Sequence, residues 1–170
     1  MNMKKFIASQ LACVAAMAIS IWGNHANAQN RNMAEVAGVH GGLVIQLGAS
    51  ETQTASKLSL TGRYLIHVLD PDASKVQSAR ERFRKNGHYG LAWAEQARGQ
   101  DRLPYAENLA NLIIVQDYSV PAKELNRVLA PGGCVVITNE EVLKRSDLPA
   151  GWIATVSADD SVLIAPKPWP

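Results

Sequence analysis

Gly48 closes one apolar run, "LVIQLG", and Asp70 closes another, "YLIHVLD", 22 residues later. Strand ends set side by side in a parallel sheet lie about 5 Å apart. A turn of small residues beside an acid is then suited to a nucleotide-like ligand. The backbone approaches the ligand at the turn, and the carboxylate accepts bonds from ribose hydroxyls. Gly48, Ala49, Ser50 and Asp70 are therefore the first candidate binding residues. Asp117, closing "NLIIVQD", falls at the same sheet edge. A second reading stays open for Asp70, that of a strand-end acid with a purely local role. Asp72, in "DPDAS", is expected to cap the following helix.

Several chemistries do not fit. The turn reads "GASETQ", with one glycine where a dinucleotide turn wants G-x-G-x-x-G, and G-x-x-x-x-G-K-[ST] is absent from the sequence. The sequence has no C-x-x-C, no G-x-S-x-G, and no histidine pair at metal-ligand spacing. His67 lies inside a strand and is expected to pack or to face a helix. Cys134, in "GGCVVIT", is read as a small buried apolar residue.

The elements that must position these residues alternate. Strands are predicted at 43–48, 64–70, 89–96, within 108–117, and at 132–139. Helices are predicted at 51–60, 72–87, 121–130 and 140–146. Ser50 or Thr52 is the N-cap of the first helix, Asn86-Gly87 stop the second, and Pro121 opens the third. "WIATVSADDSVLIAP" reads as an antiparallel hairpin turning at Ala158-Asp159-Asp160. Alternation of buried strands with helices predicts a mostly parallel sheet covered on both faces, an α/β Rossmann-like three-layer sandwich with a C-terminal antiparallel hairpin.

Residues 1–28 stand apart. Lys4 and Lys5 precede a 17-residue apolar run, and Ala26 and Ala28 have the spacing of a signal-peptidase site. A signal peptide over 1–28 is expected, hence an exported or periplasmic protein with one domain over 29–170; a retained anchor is the rival. No second run in the chain is long enough to span a membrane. After cleavage, 15 Lys plus Arg face 15 Asp plus Glu, a balance that gives no support to a nucleic-acid partner.

The later half carries a resemblance. "DRLPYAENLANLIIVQD" followed by "ELNRVLAPGGCVVIT" resembles the class I S-adenosylmethionine-dependent methyltransferases over roughly residues 41 to 165. The likeness implies S-adenosylmethionine as cofactor, with Gly48, Ala49 and Ser50 as its first turn and Asp70 as its ribose acid. Asp117 then lies at the same pocket. Leu103, Pro104 and Tyr105 match the stretch after the third strand, and Asn111 stands where relatives carry Asp. Ser50 and Thr52 replace glycines, so a side chain there is expected to crowd the ligand or to oppose a positive φ. Asp117 or Tyr118 would supply any general base, and an unidentified molecule would be the methyl acceptor. The alternative is an inactive domain of the same fold with a protein partner. A narrower likeness runs through "GGLVIQLG", "YLIHVLDPD" and "KPWP". These resemble the segment that precedes pyrroloquinoline-quinone-type β-propellers in some exported bacterial proteins.

Overall fold

Short runs as apolar as "LVIQL" and "NLIIV" have no wet face, so both of their faces must be covered. The computed structural model describes residues 34, 37–99, 101–118, 120–138, 155–156 and 163–167. In it β1 (Gly42–Leu47), β2 (Tyr64–Asp70), β3 (Ala92–Gln96), β4 (Ala110–Val115) and β5 (Leu129–Ile137) form a parallel sheet. β6 (Thr155–Val156) and β7 (Leu163–Pro166) extend it, with β7 antiparallel to both β5 and β6. The strand order is β3-β2-β1-β4-β5-β7-β6, so the winding reverses between β1 and β4.

Among the described residues three helices cover the sheet: α1 (Gln53–Ser59), α2 (Ala73–Lys85) and α3 (Ala122–Val128). Alternation along each strand divides the core in two. Val44, Ile66 and Val68 pack with Leu58 of α1 and with Val76, Ala79 and Phe83 of α2. Ile45, Leu47, Leu69, Ile113 and Val115 pack with Leu103 and with Leu125 and Val128 of α3. This is the expected three-layer Rossmann-like sandwich.

The local signals for α2 act as expected. Asp72 accepts from the Ser74 N–H at 2.8 Å, and Gly87 follows the C-cap Asn86 with φ 74°. Cys134 is buried. Three details differ. Thr52 occupies the N-cap position of α1 without a side-chain cap bond; the Glu51 carboxylate accepts from the Gln53 N–H instead. Helix α3 ends at Val128, because Leu129 already pairs with Ala110 of β4. Pro131-Gly132-Gly133, which the glycines and proline of "RVLAPGG" lead one to expect as a tight turn between helix and strand, is therefore a bulge within β5. Between the pairs Ala110↔Leu129 and Leu112↔Cys134, β4 advances two residues and β5 advances five. A Cβ on Gly133 would lie 2.9 Å from the carbonyl oxygens of both Ala130 and Asn111, so only glycine fits there.

Lys167 secures this bulge. Its backbone exchanges bonds with Gly132 and Gly133. Its ammonium donates to Asn108 Oδ1, Asn126 O and Leu129 O at 2.7–2.8 Å, covering orphan carbonyls at the end of α3. The leader over 1–28, the helix at 140–146 and the turn at 158–160 lie outside the described residues.

Candidate functional site

The ends of β1 and β2 meet as the spacing predicts. The Gly48 N–H donates to the Leu69 carbonyl at 2.8 Å. The next amide, that of Ala49, donates to Asp70 Oδ2 at 2.8 Å, and Asp70 Oδ1 accepts from the Asp72 N–H at 2.8 Å. The main-chain carbonyl of Asp70 accepts from Ala97 N–H at 3.0 Å. One residue thus ties the first turn, the β2–α2 link and the segment after β3 together. It is 2% exposed, and Ala49 is fully buried.

Gly48 has φ 114°, and a Cβ there would lie 2.8 Å from the Asp117 nitrogen. Gly48, Ala49, Asp70 and Asp117 therefore converge at the point where the strand order reverses. Ser50 stands at the exposed outer end of the turn, and Asp117 is exposed as well. Asn111 is elsewhere. Its Oδ1 accepts from Leu43 N–H at 3.0 Å, joining the amino-terminal ends of β4 and β1.

The replaced glycines at 50 and 52 do not strain the turn. Among the described residues Asn108 is the only non-glycine with positive φ, and Thr52 has φ −117°. The turn needs left-handed backbone at Gly48 alone. Gln46, inside β1, holds its shape. The Gln46 amide nitrogen lies 2.9 Å from Gly48 O, 2.7 Å from Glu51 O and 3.0 Å from Gln116 Oε1. Sequence reasoning passed over Gln46. Its signal was a polar residue in an otherwise apolar strand, which demands buried partners.

Another cluster borders the site. His67 stacks on Trp93, with ring centroids 4.6 Å apart, and its Nδ1 lies 2.6 Å from the Tyr105 hydroxyl. It packs against these side chains, the first of the two expected placements. Burial pushes the Tyr105 hydroxyl up, so the phenol keeps its proton beside Nδ1. His67 Nε2 lies 3.5 Å from Glu95 Oε2, too far for a hydrogen bond. The Glu124–Arg127 pair fixes the strip carrying Tyr105. Glu124 Oε1 accepts from Leu103 N–H at 2.7 Å, while Arg127 donates to Tyr105 O at 2.9 Å.

Burial lowers the His67 pKa from 6.5 to about 4, with Glu95 opposing. The imidazole is neutral when folded and takes a proton first in the unfolded chain. Stability is therefore full above pH 6.5 and falls as pH drops toward 4, by up to about 1.4 kcal/mol per pH unit. Urea midpoints measured between pH 7 and pH 5 should show this slope. His67→Phe, which keeps a ring against Trp93, should flatten it. An equal slope in both proteins would assign the loss to other groups.

Tyr118 follows β4. It is 4% exposed, its hydroxyl donates to the Gly99 carbonyl, and it packs in the cluster of Leu69 and Leu103. Burial and the Asp101 and Asp70 carboxylates push its pKa up. A phenol so placed is a hydrogen-bond donor and a poor base. Of the two expected bases, Asp117 is the one open to solvent.

No protein-family model matches the chain, and no curated protein does. Solved structures do. A candidate S-adenosyl-L-methionine-dependent methyltransferase of Methanococcus maripaludis superposes with TM-score 0.63 at 15% identity, covering 82% of this chain and 83% of that one. A SAM-dependent methyltransferase from Aquifex aeolicus gives 0.58 at 18% identity, over 75% and 81%. The fold is that of the class I S-adenosylmethionine-dependent methyltransferases. The [4+2]-cyclase SpnF also superposes, with TM-score 0.56 at 21% identity, over 62% of this chain and 42% of SpnF. This chain thus spans less than half the length of that relative. A cyclase on the methyltransferase fold also means that the fold alone does not fix the reaction.

Proposed function

We propose that this methyltransferase-fold protein binds S-adenosylmethionine at the Gly48–Asp70 cleft and transfers its methyl group to an unidentified acceptor. The observation that carries the reading is the Asp70 carboxylate, held against the first turn where the strand order reverses. The residues fit the cofactor's ribose. A carboxylate offers about four lone-pair positions. Backbone amides use one on each Asp70 oxygen, which leaves acceptors for two hydroxyls. Gly48 lets the backbone come close, and Ala49 keeps the turn narrow.

When bound, S-adenosylmethionine supplies an electrophilic methyl group on sulfonium. The chain's part is to orient the ligand through Asp70 and the 48–50 turn and to exclude water. Asp117 is placed to take a proton from an acceptor that needs to lose one.

A specific observation favours a second reading. Asp70 is 2% exposed and both its oxygens are engaged, which suits a domain that keeps the fold as an interaction scaffold. The Lys4–Lys5 start, the apolar run and Ala26-x-Ala28 support export, and "KPWP" supports the likeness to segments preceding β-propellers.

One experiment addresses both matters. Protein recovered from its native envelope fraction should begin at Gln29 and give a saturable heat with S-adenosylmethionine or S-adenosylhomocysteine. No heat at millimolar ligand would remove the cofactor and leave the scaffold. An intact Met1 in membrane-bound protein would remove the cleaved leader.

A further inference from the structure

β1 and β2 stand between β4 and β3 in the sheet, and their carboxyl ends carry the Gly48–Ala49 turn and Asp70. Tyr118 leaves the end of β4, and Gly99 lies in the segment after β3. The bond from the Tyr118 hydroxyl to the Gly99 carbonyl therefore joins the two walls that flank those ends. Tyr118 itself is buried, in one cluster with Leu69, the neighbour of Asp70. Its hydroxyl keeps its proton, because burial and the carboxylates of Asp101 and Asp70 disfavour the phenolate. The bridge thus persists across the neutral range, close enough to feel the charge of an Asp70 that has acceptor capacity but almost no exposure.

We propose that Tyr118 is a gate on the cleft, so that a ligand reaches Asp70 only when the Tyr118–Gly99 bond opens. The gate rests on this bond and on the burial of Asp70; its effect on a cofactor rests on the function proposed above. A ligand that binds only the open form has its apparent affinity reduced by the open fraction. One neutral hydrogen bond corresponds to about a threefold to tenfold change in that fraction.

Tyr118→Phe in the full chain keeps the ring and removes the bond. Amide hydrogen exchange at Ala49, whose N–H is held by Asp70, should then speed up about threefold to tenfold. Amides of Ile113 and Val135, central in the sheet, should not change. S-adenosylhomocysteine should bind tighter by the same factor. Tyr118→Leu, which also removes the ring, should accelerate Ala49 exchange at least as much. Unchanged exchange at Ala49 in both variants overturns the gate, whatever the ligand does. Faster exchange with unchanged affinity, in a parent that binds, overturns it too. If exchange accelerates while neither protein binds S-adenosylhomocysteine, the gate stands and the cofactor reading falls.

Discussion

Gly48→Ala should be among the most damaging single-methyl changes in this protein, lowering stability by about 3–5 kcal/mol. Two effects add. A side chain at φ 114° is strained wherever it stands, and here the new Cβ would also lie 2.8 Å from the backbone nitrogen of Asp117. That nitrogen cannot retreat, because the next residue back, Gln116, donates its own N–H to Leu47 at 2.9 Å and holds the β4 end against β1. Gly87→Ala is the control. Gly87 has φ 74° with nothing within 4 Å of an added methyl group, so the same change there carries strain alone, about 1 kcal/mol. Urea unfolding of both variants gives the difference. Equal losses at the two sites would mean that the β1 and β4 ends do not meet as described.

Asp70→Ala should follow closely, at about 2–5 kcal/mol, through a different mechanism. It strands the Ala49 N–H in the interior, at the desolvation penalty of an unsatisfied buried donor, and removes the charge-assisted bond that the carboxylate accepts from the Asp72 N–H. Asp70→Asn keeps one acceptor oxygen and should lose roughly half as much. Ligand affinity should fall in both, so only the pair of variants separates binding from folding. An Asp70→Ala protein with unchanged melting temperature would show that the carboxylate is not a structural tie, and that ribose contact alone accounts for its placement.

Much of this was legible in the sequence. Strands β1, β2 and β4 announced themselves by apolar runs that end in Gly48, Asp70 and "QD". Helix α2 came with its own cap and stop. The two ends of the cleft were readable because a parallel sheet fixes where strand ends fall. What stayed hidden depends on contacts far apart in the chain. "VLAPGG" reads as a helix followed by a turn, and pairing with Ala110 overrides that local preference by drawing Leu129 into the sheet. Ser50 and Thr52 looked like damage to a glycine turn. The Gln46 amide and the Asp70 carboxylate stabilise another path for the backbone, and no pattern of glycines reveals side chains from two different strands. Likewise nothing local in "QDYSV" indicates that Tyr118 reaches Gly99.

The placement of β7 has a consequence for the order of assembly. β7 is made after β6 yet stands between it and β5, so β6 reaches the sheet only through β7. During synthesis or refolding the sheet can grow from β3 to β5 while the bulge at 130–133 still lacks its partner. Completion waits for Lys167, whose ammonium joins residues 41 and 59 positions earlier in the sequence. Such late, long-range closure is slow to find and leaves the β5 edge open meanwhile. Removing Lys167 therefore acts on the last folding step first: a half-built sheet with a bare edge would persist for longer, and self-association would compete with docking of the β6–β7 ribbon.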